Sequence, residues 1–305
     1  MNDKRGKNTA ASVRDRLLAL ARERGEDFQL LLTQFGLERL LYRMSRSGYR
    51  DRFILKGAML FMLWSDQPHR PTRDVDFLGF GDSSEANLQA IFRDLCDTPV
   101  EDDGLTLMAA SVEVEPIRDQ TEYGGMRVRL FGDLAGARVP IQADIGFGDT
   151  VTPAPREIEY PTLLGNPAPH LKAYPRETVV AEKYQALVHL GMANSRMKDF
   201  YDLWVIAREF DFDGLTLSEA ISNTFSRRRT PLPEHTPSGL NSGFHEDAQK
   251  NAQWNAFVHK GMLVTSSASL AEVCIFLETF LIPPTQALTQ GQDFKSKWNP
   301  GGPWH

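Results

Sequence analysis

Cysteine is scarce in this chain: Cys96 and Cys274 are the only two among 305 residues, far apart and without metal-type spacing. That excludes a disulfide framework and a cysteine-based zinc site. The seven histidines show no zinc-like spacing either. No run of about 18 apolar residues occurs, so no membrane span is expected. The opening "MNDKRGKNTAASVRDRLLALARERG" has no apolar core of signal-peptide length, and the expectation is a soluble, cytoplasmic protein. Positive charge is not in excess. A net charge of −6 argues against a surface that wraps nucleic acid throughout, while permitting a local basic cleft. There is no internal repeat.

What is present fits an ordinary globular protein, with 41% apolar and 24% charged residues and length for one large domain or two smaller ones. Residues 11–46 predict two amphipathic helices broken at "RGED", the first with Val13, Leu17, Leu20 and Ala21 in register and the second with Leu30, Leu31, Phe35, Leu37, Leu40 and Leu41. "RFILKGAMLFMLW" predicts a short strand over Phe53–Leu55, a turn at Gly57 and a helix to Trp64. "SDQPHRPT", containing His69, is a loop and "RDVDFLGFG" a strand. Residues 84–97 predict a helix, and three strand-like stretches follow, "LTLMAASVEVEPI", "GMRVRLFGDL" and "ARVPIQADIGFG", for a sheet of about five strands. The proline-rich stretch 152–175 predicts a connector, with a lobe boundary near 170. Beyond it the pattern is helical, and residues 291–305, with glycine and proline but no periodicity, predict a flexible tail. The expected fold class is therefore α+β, with a mixed sheet and helices over 1–170 and a mainly helical lobe over 171–290.

Chemistry concentrates in "RPTRDVDFLGFGD". In a strand, Asp74 and Asp76 point to one face roughly 7 Å apart along the chain, and two such carboxylates repel unless water, a cation or a basic group intervenes. A hard divalent cation such as Mg²⁺ is held by one or two carboxylates together with phosphate oxygens. The pair alone reads equally as an exposed strand face. Upstream, "LKGAML" forms a strand–Gly–helix turn that would turn backbone N–H groups toward a phosphate. Downstream, Asp144 lies on the polar face of the strand "VPIQADIGFG". Three strand-borne carboxylates on one sheet edge are the pattern that two-metal nucleotidyl transfer needs, in which one or two metals bridge a triphosphate and a carboxylate helps activate the attacking hydroxyl. Lys183 sits beside an apolar helical stripe, where it must either snorkel to solvent or find an anion. In "NSRMKDFYDLW", Lys198 and Asp202 are spaced i,i+4 and Arg196 and Asp199 i,i+3, as on a salt-bridged helix surface or the rim of a nucleotide cleft. Arg227, Arg228 and Arg229 form a short run that is either solvated or disposed to hold phosphates.

Taken together, "LKGAMLFMLW…RPTRDVDFLGFG…IQADIGFG…YPRETVVAEKYQALVHLGMANSRMKDFYDLW" resembles the AbiEii/AbiGii toxin family with its MenT-type members, nucleotidyltransferase-like proteins of the DNA polymerase β superfamily. The likeness runs from about Leu30 to Pro284. It implies that Gly57 and Ala58 correspond to the phosphate-binding Gly–Ser or Gly–Gly turn, that Asp74 and Asp76 are the metal pair, and that Asp144 is the third carboxylate, a further metal ligand or the general base. Lys183 matches the triphosphate lysine. Lys198, Asp199 and Asp202 match the family's "K-D-x-x-D" segment near the nucleotide, beside Arg196. Thr72 and Arg73, leading into the catalytic strand, are placed to meet phosphate. Ala58 departs from the pattern, since it supplies an N–H but no hydroxyl.

The implied activity is a toxin that uses Mg²⁺ or Mn²⁺ to move NMP from an NTP to an acceptor, with the 3′ end of tRNA as the acceptor of the MenT-type relatives. The implied partner is a cognate antitoxin, often a winged-helix regulator. Two other readings stay open at this stage: transfer of NMP or a phosphoryl group to a protein, and a catalytically inactive nucleotide-sensing or partner-binding module.

Overall fold

The computed structural model describes residues 2–65, 70–117, 124–260 and 268–305, with side chains from residue 8 onward. His69 and the centre of its expected loop lie outside the described residues, as does Gly261. The chain divides into two compact units, one of residues 1–148 and 156–173 and the other of residues 149–155 and 174–305.

The first unit opens with two helices, α1 (Asn2–Arg24) and α2 (Phe28–Arg46). They are separated where Gly25 takes φ +66° and Asp27 caps α2 by accepting from the Leu30 N–H at 2.9 Å. The chain continues through β1 (Phe53–Lys56), a 3₁₀ turn (Gly57–Leu60), the short α3 (Phe61–Trp64), β2 (Val75–Gly79), α4 (Glu85–Cys96), β3 (Thr106–Leu107), β4 (Glu113–Ile117), β5 (Gly125–Leu134), β6 (Ala137–Phe147), β7 (Arg156–Glu159) and β8 (His170–Ala173). These strands form one mixed sheet of order β3-β5-β6-β2-β1-β8-β7, with β4 also paired to β5. The pairs β2–β6 and β1–β8 run parallel and the others antiparallel.

That sheet has eight strands among the described residues, against about five expected. The first strand-like stretch splits into β3 and β4 around a 3₁₀ turn at Ala109–Ser111. The proline-rich stretch is more than a connector, because β7 and β8 lie within it. Four-residue strands flanked by prolines carry almost no period-two signal. Their place is set by the pairing of β8 with β1 and of β7 with β8, which the local sequence does not display.

One face of the sheet is apolar. Val75, Phe77, Val128, Leu130, Ala143 and Ile145 are all essentially inaccessible. α2 crosses β6 so closely that a Cβ at Gly36 would stand 2.7 Å from Val139. Burying such a face is the main drive to fold this unit. The alternate residues of the same strands, among them Lys56, Asp76, Arg127, Gln142 and Asp144, fall on the other face.

The second unit is helical: α5 (Arg176–Leu190), α6 (Met197–Glu209), β9 (Phe212–Asp213), α7 (Gly214–Arg227), α8 (Ser242–His245), α9 (Ala248–Lys260), α10 (Leu270–Thr289) and β10 (Lys297–Trp298). Its core is aromatic, with Tyr184, Phe200, Tyr201, Phe225 and Phe280 buried. Residues 291–305 are no loose tail. β10 pairs with β9, Trp298 is buried and donates to the Ala207 carbonyl at 2.6 Å, and Trp304 stacks on Phe280. The helix α10 runs through Pro283 and Pro284 instead of stopping there. Proline at 284 cannot donate to the carbonyl four residues back. That carbonyl, of Phe280, accepts from Trp304 Nε1 at 2.9 Å, so the terminal segment satisfies the acceptor that the proline releases. Isolated tryptophans of this kind have no periodicity, which is why the sequence pattern reads as disorder.

Candidate active site

Register decides which side chains of the sheet meet. Across β1, β2, β6 and β5, Lys56 stands opposite Asp76, Asp76 opposite Asp144, and Asp144 opposite Arg127. Residues directly across neighbouring strands share a face at a strand spacing of about 4.8 Å. The sheet therefore carries a row of charges, plus, minus, minus, plus, on its polar face. Asp74 lies just before the first residue of β2 rather than inside the strand. Its Oδ1 accepts from the Thr72 hydroxyl at 2.7 Å. Thr72 thus orients a carboxylate, a use not read from the sequence, while Arg73 is exposed.

Gly57 is required twice over. Its φ is +75°, and a Cβ there would fall 1.9 Å from Asp76 Oδ2. The Asp76 carboxylate is seated directly against the glycine turn, so the turn and one carboxylate are built as a single piece. Gly57→Ala is expected to cost about 1–2 kcal/mol in backbone strain alone and to push Asp76 out of the row. Urea unfolding should show the lost stability, and transfer activity should fall at least about tenfold; wild-type activity in this variant would mean that the seat is irrelevant. Beside the turn a cavity of about 180 Å³ opens, walled by Ala58, Met59, Met62 and Tyr160, with Thr72 and Glu38 among its polar groups. Burial pushes the Glu38 carboxyl above its usual range, opposed by Arg39 and by the Leu163 N–H that it accepts.

Asp144 is held by Arg127 in a fork, Nε to Oδ1 at 2.8 Å and Nη2 to Oδ2 at 2.6 Å. Gln142 Nε2 adds a longer bond to Oδ1, 3.3 Å. The hydrogen bond to Asp144 raises the Arg127 pKa, with smaller help from the charges of Asp144, Asp74 and Glu115. Arg127 and Lys56 escaped the sequence reading. The alternation of "GMRVRLFGDL" puts Arg127 on a polar face, but only strand register names its partner.

In the helical unit, Lys183 meets anions of its own chain. Its ammonium donates to Asp199 Oδ1 at 2.7 Å and lies 2.8 Å from Asp202 Oδ2. Arg196 Nε pairs with Asp199 Oδ2 at 2.6 Å, the expected i,i+3 contact. The expected i,i+4 partner of Lys198 is elsewhere engaged. Asp199 and Asp202, three residues apart on α6, are both fully buried and turn together toward α5, while Lys198 is exposed. Burial alone would raise the Asp199 pKa. Lys183 and then Arg196 outweigh it and hold the carboxyl below its usual range. The arginine run resolves similarly: Arg228 forks onto Asp149 at 3.0 and 2.9 Å and donates to Gln185 at 2.9 Å, leaving Arg227 and Arg229 exposed.

Residues 39–277 match the family described as nucleotidyl transferase AbiEii toxin, type IV TA system. The chain belongs to the AbiEii nucleotidyltransferase toxin family. No curated protein matches it. Of the solved structures, a Helicobacter pylori protein described as a candidate nucleotidyltransferase is similar, with TM-score 0.49 and 15% identity over 88% of this chain and 100% of its own. The Helicobacter pylori protein JHP933 gives TM-score 0.47 and 15% identity over 87% of this chain and 95% of its own. Membership of the AbiEii family implies nucleotidyltransferase activity with an NTP substrate and a cognate antitoxin. For the divalent cation that such enzymes usually employ, Asp74 and Asp76 are a fitting hard-oxygen pair. No group of three His, Cys, Asp or Glu side chains able to hold a metal ion occurs among the described residues. Nor is any described helix long and apolar enough to cross a membrane.

Proposed function

We infer that this AbiEii-family protein is a cytoplasmic toxin that transfers NMP from an NTP to the 3′ end of tRNA, using Mg²⁺ or Mn²⁺ held by Asp74 and Asp76. The observation that carries the reading is the seating of Asp76 against Gly57, which unites the glycine turn and the carboxylate row in one rigid construction. A divalent cation at that pair supplies charge neutralisation for triphosphate oxygens and the leaving pyrophosphate. The chain supplies the rest. Backbone N–H groups of the Gly57–Ala58 turn hold phosphate, without the hydroxyl that Ser would add. Thr72 fixes the rotamer of Asp74. A carboxylate of the row, Asp144 by family likeness, takes the acceptor's proton as the new P–O bond forms and the α–β bridge breaks. Nucleotide contacts by Arg73, Lys183, Arg196, Lys198, Asp199 and Asp202 belong to the same proposal, as does neutralisation by an antitoxin of the winged-helix kind.

Of the four α-³²P-labelled NTPs, incubated one at a time with the full chain, tRNA, total protein and Mg²⁺, at least one should label tRNA at its 3′ end with release of pyrophosphate, and EDTA should stop the reaction. Label confined to protein, or incorporation indifferent to EDTA, would overturn the acceptor or the metal requirement respectively.

A further inference from the structure

We propose that Arg127 takes the place of a second metal ion, so that this site binds one divalent cation, at Asp74 and Asp76, and Asp144 is no metal ligand. The inference rests on the metal-dependent reading above and concerns how its charge is balanced. Asp76 and Asp144 are adjacent in a parallel pair, where two carboxylates repel unless positive charge is supplied. The register supplies it on both outer sides, Lys56 beside Asp76 and Arg127 beside Asp144, and the guanidinium engages both Asp144 carboxylate oxygens at 2.8 and 2.6 Å. A bidentate fork is the strongest ion pair that two side chains form, because both N–H vectors align with both oxygens. Gln142 comes from the same strand to add a third donor.

A metal at Asp144 would have to share oxygens that already accept from Arg127 and Gln142, and would set a second cation beside the guanidinium in a setting where the Asp144 side chain is only 16% exposed and that of Arg127 29%, so like-charge repulsion opposes it. A permanent guanidinium does the electrostatic work without that cost. It neutralises Asp144 and lies within the field of Asp74 and Glu115 as well. Arg127 is accordingly a positioning residue. It fixes the third carboxylate beside Asp76, and it keeps the charge of the row low enough for one cation and a triphosphate to coexist there.

Counting bound Mn²⁺ tests this without reference to turnover. The full chain, free of nucleotide, is titrated with Mn²⁺ and free ion is measured by electron paramagnetic resonance. Wild type should bind one ion and Asp76→Asn none. Asp144→Asn, which keeps shape and removes charge, should still bind one, with Kd within about threefold of wild type, whereas loss of a true ligand would weaken it at least about tenfold. Arg127→Gln should admit a second ion on the freed carboxylate, and Arg127→Lys should not. Two ions in wild type, a tenfold weakening in Asp144→Asn, or a single ion in a folded Arg127→Gln would each overturn the proposal. Should Arg127→Gln not fold, the Asp144→Asn titration decides. Wild type that binds no Mn²⁺ removes the metal reading itself, and this inference with it, which separates the two failures.

Discussion

Asp76→Asn is expected to lower the rate of nucleotidyl transfer by on the order of 10²–10³-fold while the protein stays folded. Several kcal/mol of charge stabilisation disappear with one ligand of a catalytic cation, and each 1.36 kcal/mol is about a factor of ten. The asparagine side chain has the same shape, so it still fits against Gly57, where Asp76 Oδ2 occupies the space a Cβ would fill. The variant therefore isolates charge from packing. Asp74→Asn should be similarly impaired, although the Thr72 hydroxyl would still hold its Oδ1. Initial rates of label incorporation, with circular dichroism as the control for folding, provide the check. A growth assay reads the same variants in cells: equal toxicity of wild type, Asp74→Ala and Asp76→Ala would reject catalysis at this sheet.

The second large effect lies in the helical unit and concerns stability. Asp199→Ala should destabilise that unit by about 3 kcal/mol, the lower end of what breaking a buried ion pair costs. Lys183 and Arg196 both lose a carboxylate at 2.7 and 2.6 Å, and the remaining partner, Asp202 at 2.8 Å, keeps the loss from being larger. Urea unfolding monitored by the tryptophans of this unit measures it, and a change under about 1 kcal/mol would contradict a buried network.

The pH dependence has a definite sign. Because Asp199 titrates lower in the folded chain than in the unfolded one, its contribution is fully present above the unfolded carboxylate pKa of about 3.9. It is lost as pH falls through the lower, folded value. The gap between wild type and Asp199→Asn should thus be constant near neutrality and close under acid. Glu38 acts in the opposite sense: its raised pKa withdraws stability as pH climbs from the unfolded value through the folded one. Only the difference between wild type and variant, and not the whole acid profile, reports on Asp199.

The sequence by itself determined the carboxylates, the glycine turn, the helices with strong 3.6-residue patterns, and, through the conjunction of "LKGAML", "RDVDF" and "RMKDFYDLW", the family. These signals are local, because a helix face, a D-x-D pair or a turn glycine is written within a few residues. Strand register, by contrast, is a long-range property. No local pattern says that Asp144 stands beside Asp76 or that Arg127, seventeen positions upstream, closes on Asp144. The strands β7 and β8 and the packed C-terminal segment were hidden for the same reason, since short strands and lone tryptophans acquire meaning only from what they pair with. Lys183 shows the division most plainly. Its apolar helical neighbours required that the ammonium find an anion or reach solvent. Only tertiary packing chose Asp199 and Asp202, because desolvating a charge inside the helical unit is tolerated where opposite charges on a neighbouring helix are already in place.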